Sequence, residues 1–256
     1  VQAAVERAIV TMWERYEEPL TLDDIADTAI LSKFYFSRVF RTLTGTSPGR
    51  FLSAIRLHKA KNLLLKTSLS VTDISYQVGY NSLGTFTSRF TRSVGLSPGR
   101  YRALARVGLR RDSVRLAGAG PLRRPASLHG TVSVPDVGLS TRIYVAAFSD
   151  PIAQGEPAAC SVLDGPGEFQ LSGVPDGVWH LRAAVVALDD VDPLPWKRRP
   201  LFIGASQPIT VQAGSAPAVD LETRPFCPFD LPILLALPEL DSWQPPQYEA
   251  AALTVD

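Results

Sequence analysis

The sequence predicts an all-α double helix-turn-helix domain followed by an antiparallel β-sandwich, and three observations carry that expectation. The phrase "TGTSPGRF" at residues 44–51 returns as "VGLSPGRY" at 94–101. Charge divides the chain: residues 1–126 hold 20 Lys+Arg against 9 Asp+Glu (net +11), and 127–256 hold 6 against 16 (net −10), summing to +1. Local pattern changes at the same place, from capped 3.6-periodic segments to short Val/Leu-rich runs broken by Pro and Gly. The expected domains are 1–106 (helical), 107–126 (an Arg/Gly/Pro linker), 127–223 (β-sandwich) and 224–256 (a Pro-rich tail).

The first segment, "VQAAVERAIVTMWERYEE", places Val5, Ile9, Met12, Trp13 and Tyr16 on one helical face, and Pro19 ends it. In "TLDDIADTA" Thr21 and Asp24 have capping-box spacing, in which a hydroxyl accepts from a backbone N–H and the carboxylate answers. A turn leads to "SKFYFSRVFRTLTG", with Ser32 as N-cap and Gly45 as terminator. Two short helices around a tight turn spell helix-turn-helix. The pattern then repeats: Ser70 pairs with Asp73, Ile74 stands where Ile25 stood, and Ser82, Phe86 and Phe90 match Ser32, Phe36 and Phe40 after one added turn residue. Ser47-Pro48 and Ser97-Pro98 open the helix that follows each unit. Between the units, "SPGRFLSAIRLHKAKNLLLK" predicts a connecting helix with a buried stripe of Phe51, Leu52, Ile55, Ala60, Leu63 and Leu64. Twenty residues span about 30 Å, close to the roughly 34 Å between successive major grooves on one face of DNA.

Residues 4–104 resemble the DNA-binding domain of the AraC/XylS family of bacterial transcription regulators. The likeness is carried by "LDDIADTAILSKFYFSRVFRTLTGTSPGRFL", "IRLHKAKNLL" and "DISYQVGYNSLGTFTSRFTRSVGLSPGRYR". It implies a seven-helix domain that contacts double-stranded promoter DNA through two recognition helices. In the first, Lys33, Phe34, Ser37, Arg38 and Arg41 lie away from Phe36 and Phe40, with Ser32 at the helix start. Arg38 falls where the family commonly reads bases, and Arg suits a bidentate contact to guanine. Lys33 and Arg41 suit phosphates. The second helix offers Asn81, Ser82, Leu83, Gly84, Thr87, Ser88 and Thr91. Ser88 stands where the resemblance places an arginine, and Arg89 is rotated off that face. The first helix is therefore expected to supply most hydrogen-bonding specificity, and the second to read shape, thymine methyls and backbone. Of the other cations, Arg50, Arg56, Lys59, Arg92, Arg100 and Arg102 divide between phosphates and pairing with Asp23, Asp24 or Asp27. The linker's Arg110, Arg111, Arg123 and Arg124 add nonspecific attraction.

In the acidic half, "SLHGTVSV", "TRIYVAAF", "AACSVL", "GEFQLSG", "GVWHLRAAVVAL", "QPITVQ" and "PAVDLET" read as about seven strands. "GEFQLSGVPDGVWHLRA" resembles the Gly-x-Phe…Pro-x-Gly-x-Tyr-x-Leu signature of carboxypeptidase-regulatory-like (prealbumin-like) domains, with Trp179 at the aromatic position. "LDDVDPLPWKRRPLF" reads as a solvated loop. Its Asp189, Asp190 and Asp192 lack the rest of a calcium loop, while Trp196 and Phe202 are expected to be buried. The apolar block Leu231–Leu237 is expected to pack within the chain, across domains or at a dimer contact.

No catalytic residue, metal or cofactor is expected. His58, His129 and His180 fall in no metal or nucleophile pattern. The enzymatic rival, a DNA-repair methyltransferase with an AraC-like domain, fails because Cys227 lies in "PFCPFD" without that chemistry's Pro-Cys-His-Arg. Cys160 and Cys227 make no disulfide scaffold, no apolar run suits a membrane span and the first residues lack a signal core, so a cytoplasmic, membrane-free protein is expected. Val1 reads as a processed end. Beyond DNA, the expected partners are RNA polymerase, a small-molecule effector and a second copy of the chain, with the β half expected to sense a small molecule, to dimerise or to contact another protein. The alternative is a small-molecule- or protein-binding β module with a weak, partner-dependent DNA tether.

Overall fold

A computed structural model of the chain describes residues 1–107, 126–155, 157–188, 200–215 and 217–234. Seven helices come first: α1 (Gln2–Glu14), α2 (Leu22–Thr28), α3 (Lys33–Thr44), α4 (Pro48–Lys66), α5 (Val71–Gln77), α6 (Leu83–Val94) and α7 (Pro98–Val107). Both expected capping boxes form. The Thr21 side chain accepts from the Asp24 N–H while the Asp24 carboxylate takes the Thr21 N–H, and Ser70 and Asp73 repeat this. Ser32 occupies the N-cap position of α3 without a side-chain bond, whereas Ser47 and Ser82 cap their helices through the hydroxyl.

Two cores hold the helical half. In the first, Val5, Ile9 and Met12 of α1 meet Ile25, Phe36, Phe40, Phe51 and Ile55. In the second, Leu57, Ala60 and Leu64 of α4 meet Ile74, Phe86, Phe90 and Tyr101. The repeated phrase has the same packing job in each. Phe51 sets its ring edge-on to Phe40, centroids 5.4 Å apart, and Tyr101 does the same to Phe90 at 5.8 Å. The one-sided stripe expected for α4 is corrected. Ala54 and Leu57 are buried as well, and Leu63 only partly, because α4 gives Phe51, Leu52 and Ile55 to one core and Ala54, Leu57, Ala60 and Leu64 to the other. A helix enclosed on several sides shows little amphipathicity.

The two turns differ in one residue. Gly79 takes φ 83°, and a Cβ there would lie 2.8 Å from the Glu17 carbonyl oxygen, so only glycine fits. The first unit places Ile30 at the matching position with φ 57° and its side chain 82% exposed, a left-handed conformation that disfavours a β-branched residue.

The β half comprises β1 (Ala126–Ser133), β2 (Thr141–Phe148), β3 (Ala159–Leu163), β4 (Gly167–Val174), β5 (Gly177–Ala187), β6 (Phe202–Ala205), β7 (Ile209–Val211) and β8 (Leu221–Pro225). They form one hydrogen-bonded path, β3-β2-β5-β6-β8-β1-β4, with β7 added on the start of β5. Its two ends approach each other, so the sheet is nearly closed and barrel-like around Leu128, Ile143, Val145, Leu171, Leu181 and Val185. The all-antiparallel expectation is corrected at one seam, where β1 and β8 run parallel through Val132–Leu221 and Ser133–Glu222. The extra strand β6 falls where a loop was expected, and Phe202 is buried at its start. The linker 108–125, Asp189, Asp190, Asp192, Trp196 and residues 235–256 lie outside the described residues.

After β8 the chain crosses back to the helices. Phe229 and Leu231 join the first helical core, and Leu231 and Leu234 join the second. Ile233 covers Tyr144, Ala146 and Phe148 on the outer face of β2. A clasp fixes this strap: Arg224 grips both Asp230 carboxylate oxygens at 2.8 and 2.5 Å, and the Cys227 N–H donates to Asp230 at 2.8 Å. The loop after β2 makes a second junction, with the Gly155 N–H donating to the Ser93 carbonyl at 3.0 Å.

Two predictions follow from these elements. Replacing Ile30 by Gly relieves the left-handed strain, offset in part by unfolded-chain entropy, and is expected to stabilise the chain by about 1 kcal/mol in urea unfolding. Burial pushes the Asp230 carboxyl up, but hydrogen bonds from Arg224 and Cys227 outweigh it and hold its pKa below the usual carboxylate value. The clasp's stabilisation is therefore full above the unfolded pKa and lost as pH falls through the folded one. The Asp230→Asn variant is expected to flatten the acid limb of the stability profile between roughly pH 5 and pH 2.

Candidate nucleic-acid interface

Phe36 and Phe40, four residues apart and fully buried, turn one face of α3 inward. The opposite face then carries Lys33, Phe34, Ser37, Arg38 and Arg41, and the fold brings all five to one open depression of about 510 Å³, walled by Leu22 and Thr42. Phe34 is 81% exposed and so takes no part in the core packing of Phe36 and Phe40. The Arg38 guanidinium lies over the Tyr35 ring at 5.3 Å, and the Lys33 ammonium over Phe34 at 5.8 Å. Lys33 also bridges to Asp23 on α2 at 3.2 Å, so part of the α2 acidity is answered beside the depression. The guanidinium is thereby presented as an oriented fork for paired acceptors.

On α6, Phe86 and Phe90 set the inward face in the same way. Asn81, Ser82, Leu83, Gly84, Ser88 and Thr91 are exposed and Thr87 half-buried. The Ser82 hydroxyl accepts from the Thr85 N–H at 3.4 Å, and the Thr91 hydroxyl donates to the Thr87 carbonyl at 2.8 Å. This surface is small and hydroxyl-rich, with Leu83 as its apolar point. Arg89 reaches back to the Ser53 hydroxyl at 3.4 Å, and Ser53 contacts the Tyr80 hydroxyl at 2.9 Å, so Arg89 leans toward α4. The two sets of residues occupy separate helices, and only the α3 set gathers in the depression.

Several expected carboxylate pairings are corrected. Arg56 donates to the carbonyls of Tyr16 and Glu18, both at 2.7 Å, and its half-burial pushes its pKa down. Arg102 donates to the Leu64 and Leu69 carbonyls at 3.2 and 2.6 Å. Lys59 sits over Trp13 and Tyr16 at 5.5 and 5.0 Å. These cations tie helix ends together. Asp24 is taken up by capping Thr21, whose hydrogen bonds hold its carboxyl below the usual value. Arg50 and Arg92 line a polar cavity of about 560 Å³ between the two units, and Arg100 is exposed. Tyr35, Leu22 and Thr42 were not among the sequence candidates, because nothing in the spacing distinguishes them from ordinary surface residues.

This pair of outward-facing second helices is the arrangement of a helix-turn-helix DNA-binding domain, and residues 25–104 match the family model described as a helix-turn-helix domain. The chain is 30% identical over 102 residues to the lactose operon transcription activator of Staphylococcus xylosus, covering 40% of this chain and 37% of that one. It is 32% identical over 92 residues to the melibiose operon regulatory protein of Escherichia coli (36% of this chain, 30% of that one). A solved AraC-type transcriptional regulator from Chromobacterium violaceum aligns at 32% identity and a TM-score of 0.39, covering 40% of this chain and 92% of that one. Residues 25–104 thus form a helix-turn-helix domain similar to those of transcription regulators, and the chain spans about a third of the length of the curated relatives it matches. Among the described residues no helix is long and apolar enough to cross a membrane, and no group of acidic, His and Cys side chains is placed to hold a metal.

If the two helices divide the work as their chemistry suggests, Arg38→Ala lowers affinity for a selected site by about 10-fold or more, while Ser88→Ala changes it far less. Lys33→Ala and Arg41→Ala are expected to weaken all sequences alike and to flatten the slope of log K against log salt by about one each. Fluorescence anisotropy on specific and scrambled duplexes reads both effects.

Proposed function

We propose that the chain is a sequence-specific, double-stranded DNA-binding transcription regulator whose α3 and α6 enter adjacent major grooves, with the β domain serving effector sensing or protein contact. The observation that carries this reading is the shared helix α4. It has 19 residues and therefore a length of about 28 Å, and it is buried in the cores of both units. A rod of that length suits two readers about one helical turn of DNA apart. The exposed Lys33, Phe34, Arg38 and Arg41 and the half-buried Ser37 supply base and phosphate contacts in this reading, and Asn81, Ser82, Leu83, Gly84, Thr87, Ser88 and Thr91 supply shape and methyl contacts. The names of the relatives, an operon activator and an operon regulatory protein, support a role at promoters, where RNA polymerase is the natural protein partner. The likeness of residues 167–183 to carboxypeptidase-regulatory-like domains supports an interaction role for the β half.

A second reading, in which the β domain binds the main ligand and the helices are a weak tether, draws support from the α6 face, which has no arginine at Ser88. Hydroxyl-radical footprinting of the whole chain on a duplex selected from a random library separates the two. Two protected patches about 10 base pairs apart, with retention against nonspecific competitor, are expected. A single patch, or binding that competitor DNA removes entirely, favours the tether.

A further inference from the structure

β2 is buried on both faces. Its inward residues fill the barrel, while Tyr144, Ala146 and Phe148 face outward beneath the strap. Between that face, the neighbouring stretches of β5 and β6, and residues 230–233 lies a cavity of about 370 Å³, within the size range of small-molecule sites. Its wall is mostly apolar, with two polar side chains whose hydrogen-bonding capacity the fold does not fill. Tyr144 is 4% exposed, and its hydroxyl is buried with no hydrogen-bond partner in the protein, a state that buried hydroxyls avoid unless a ligand or an ordered water completes them. Arg182 uses Nε and Nη2 on the Pro151 carbonyl and Nη1 on the Leu181 carbonyl, which leaves two of its five N–H donors. Burial pushes the Arg182 guanidinium's pKa down; Asp150 nearby opposes this in part and forms no ion pair with it. The other cation of the wall, Arg224, is already neutralised by Asp230.

We propose that this cavity binds a small organic acid, whose apolar body lies along Ala146, Ala184 and Ile203 and whose carboxylate is held by the Tyr144 hydroxyl and the Arg182 guanidinium. Thr44 and Gly45, at the C-terminal end of α3, form part of the same wall. A bound acid therefore presses on the end of the first recognition helix and on the strap that seals both helical cores. This deepens the effector role in the proposed function and rests on it, while binding itself is measured without DNA, so each can fail alone.

The test is calorimetric titration of the whole chain with 4-phenylbutyrate, 4-phenylbutan-1-ol and 4-phenylbutylamine. The acid is expected to bind once per chain, at least tenfold tighter than the alcohol, and the amine not at all. Ala184→Phe, which fills the cavity, abolishes binding. Tyr144→Phe weakens it about tenfold while unfolding at no lower temperature than the parent chain, a combination that a purely structural hydroxyl does not give. Absence of acid binding at millimolar concentration, equal affinity for acid and amine, or unchanged affinity in Tyr144→Phe overturns the proposal. Loss of acid binding with DNA binding intact removes this site alone; acid binding without sequence-selective DNA binding removes the regulator reading and leaves the site.

Discussion

One helix is packed into two hydrophobic cores, and the geometry of the DNA-binding half depends on it. Phe51, Leu52 and Ile55 belong to the first core and Ala54, Leu57, Ala60 and Leu64 to the second. Neither unit can rotate without displacing α4 from the other's interior, and close-packed interiors resist such displacement. Each recognition helix is joined to the helix that follows it by the same device, an edge-on aromatic pair: Phe40 with Phe51 of α4, and Phe90 with Tyr101 of α7. The sequence repeat is thus a repeat of joints. A two-fold recurrence of Gly, Ser-Pro and an aromatic places the same ring in the same relation to each recognition helix.

The β half is attached to the helices at functionally pointed places. The loop after β2 reaches the C-terminal end of α6 through Gly155 and Ser93, and the strap reaches the C-terminal end of α3 beside Thr44 and Gly45. The N-terminal parts of both helices, which bear Lys33, Phe34, Asn81 and Leu83, remain exposed. The β half therefore touches the rear of each of these helices and leaves its front open. The clasp between Arg224 and Asp230 ties the start of the strap to the end of β8.

Much of this was legible in the residues. Caps, terminators and Phe pairs are local signals with fixed spacing, so the helices and the outward positions on α3 and α6 could be placed without coordinates. The near-closed sheet was less legible. β6 is only four residues long, contains Gly204, and gains its place from neighbours distant in sequence, β5 and β8. The parallel seam between β1 and β8 joins segments nearly ninety residues apart, where alternation says nothing of direction. The cation roles were misread for a similar reason. Arg56 and Arg102 look like phosphate or carboxylate partners until the carbonyls of Glu18 and Leu69, distant in the chain, are seen within reach. Tyr144 carries no sequence mark at all; its unpaired hydroxyl is a property of what closes over β2.

Leu231 packs against both helical cores, yet it follows every strand among the described residues. During synthesis the helical half leaves the ribosome first, and chains fold as their domains emerge. The groove between its two units must then wait, unsealed, until the whole barrel has been translated and its trailing segment returns. The packing of the two helical units is in this sense completed by a segment made after the barrel, well behind the helices it covers.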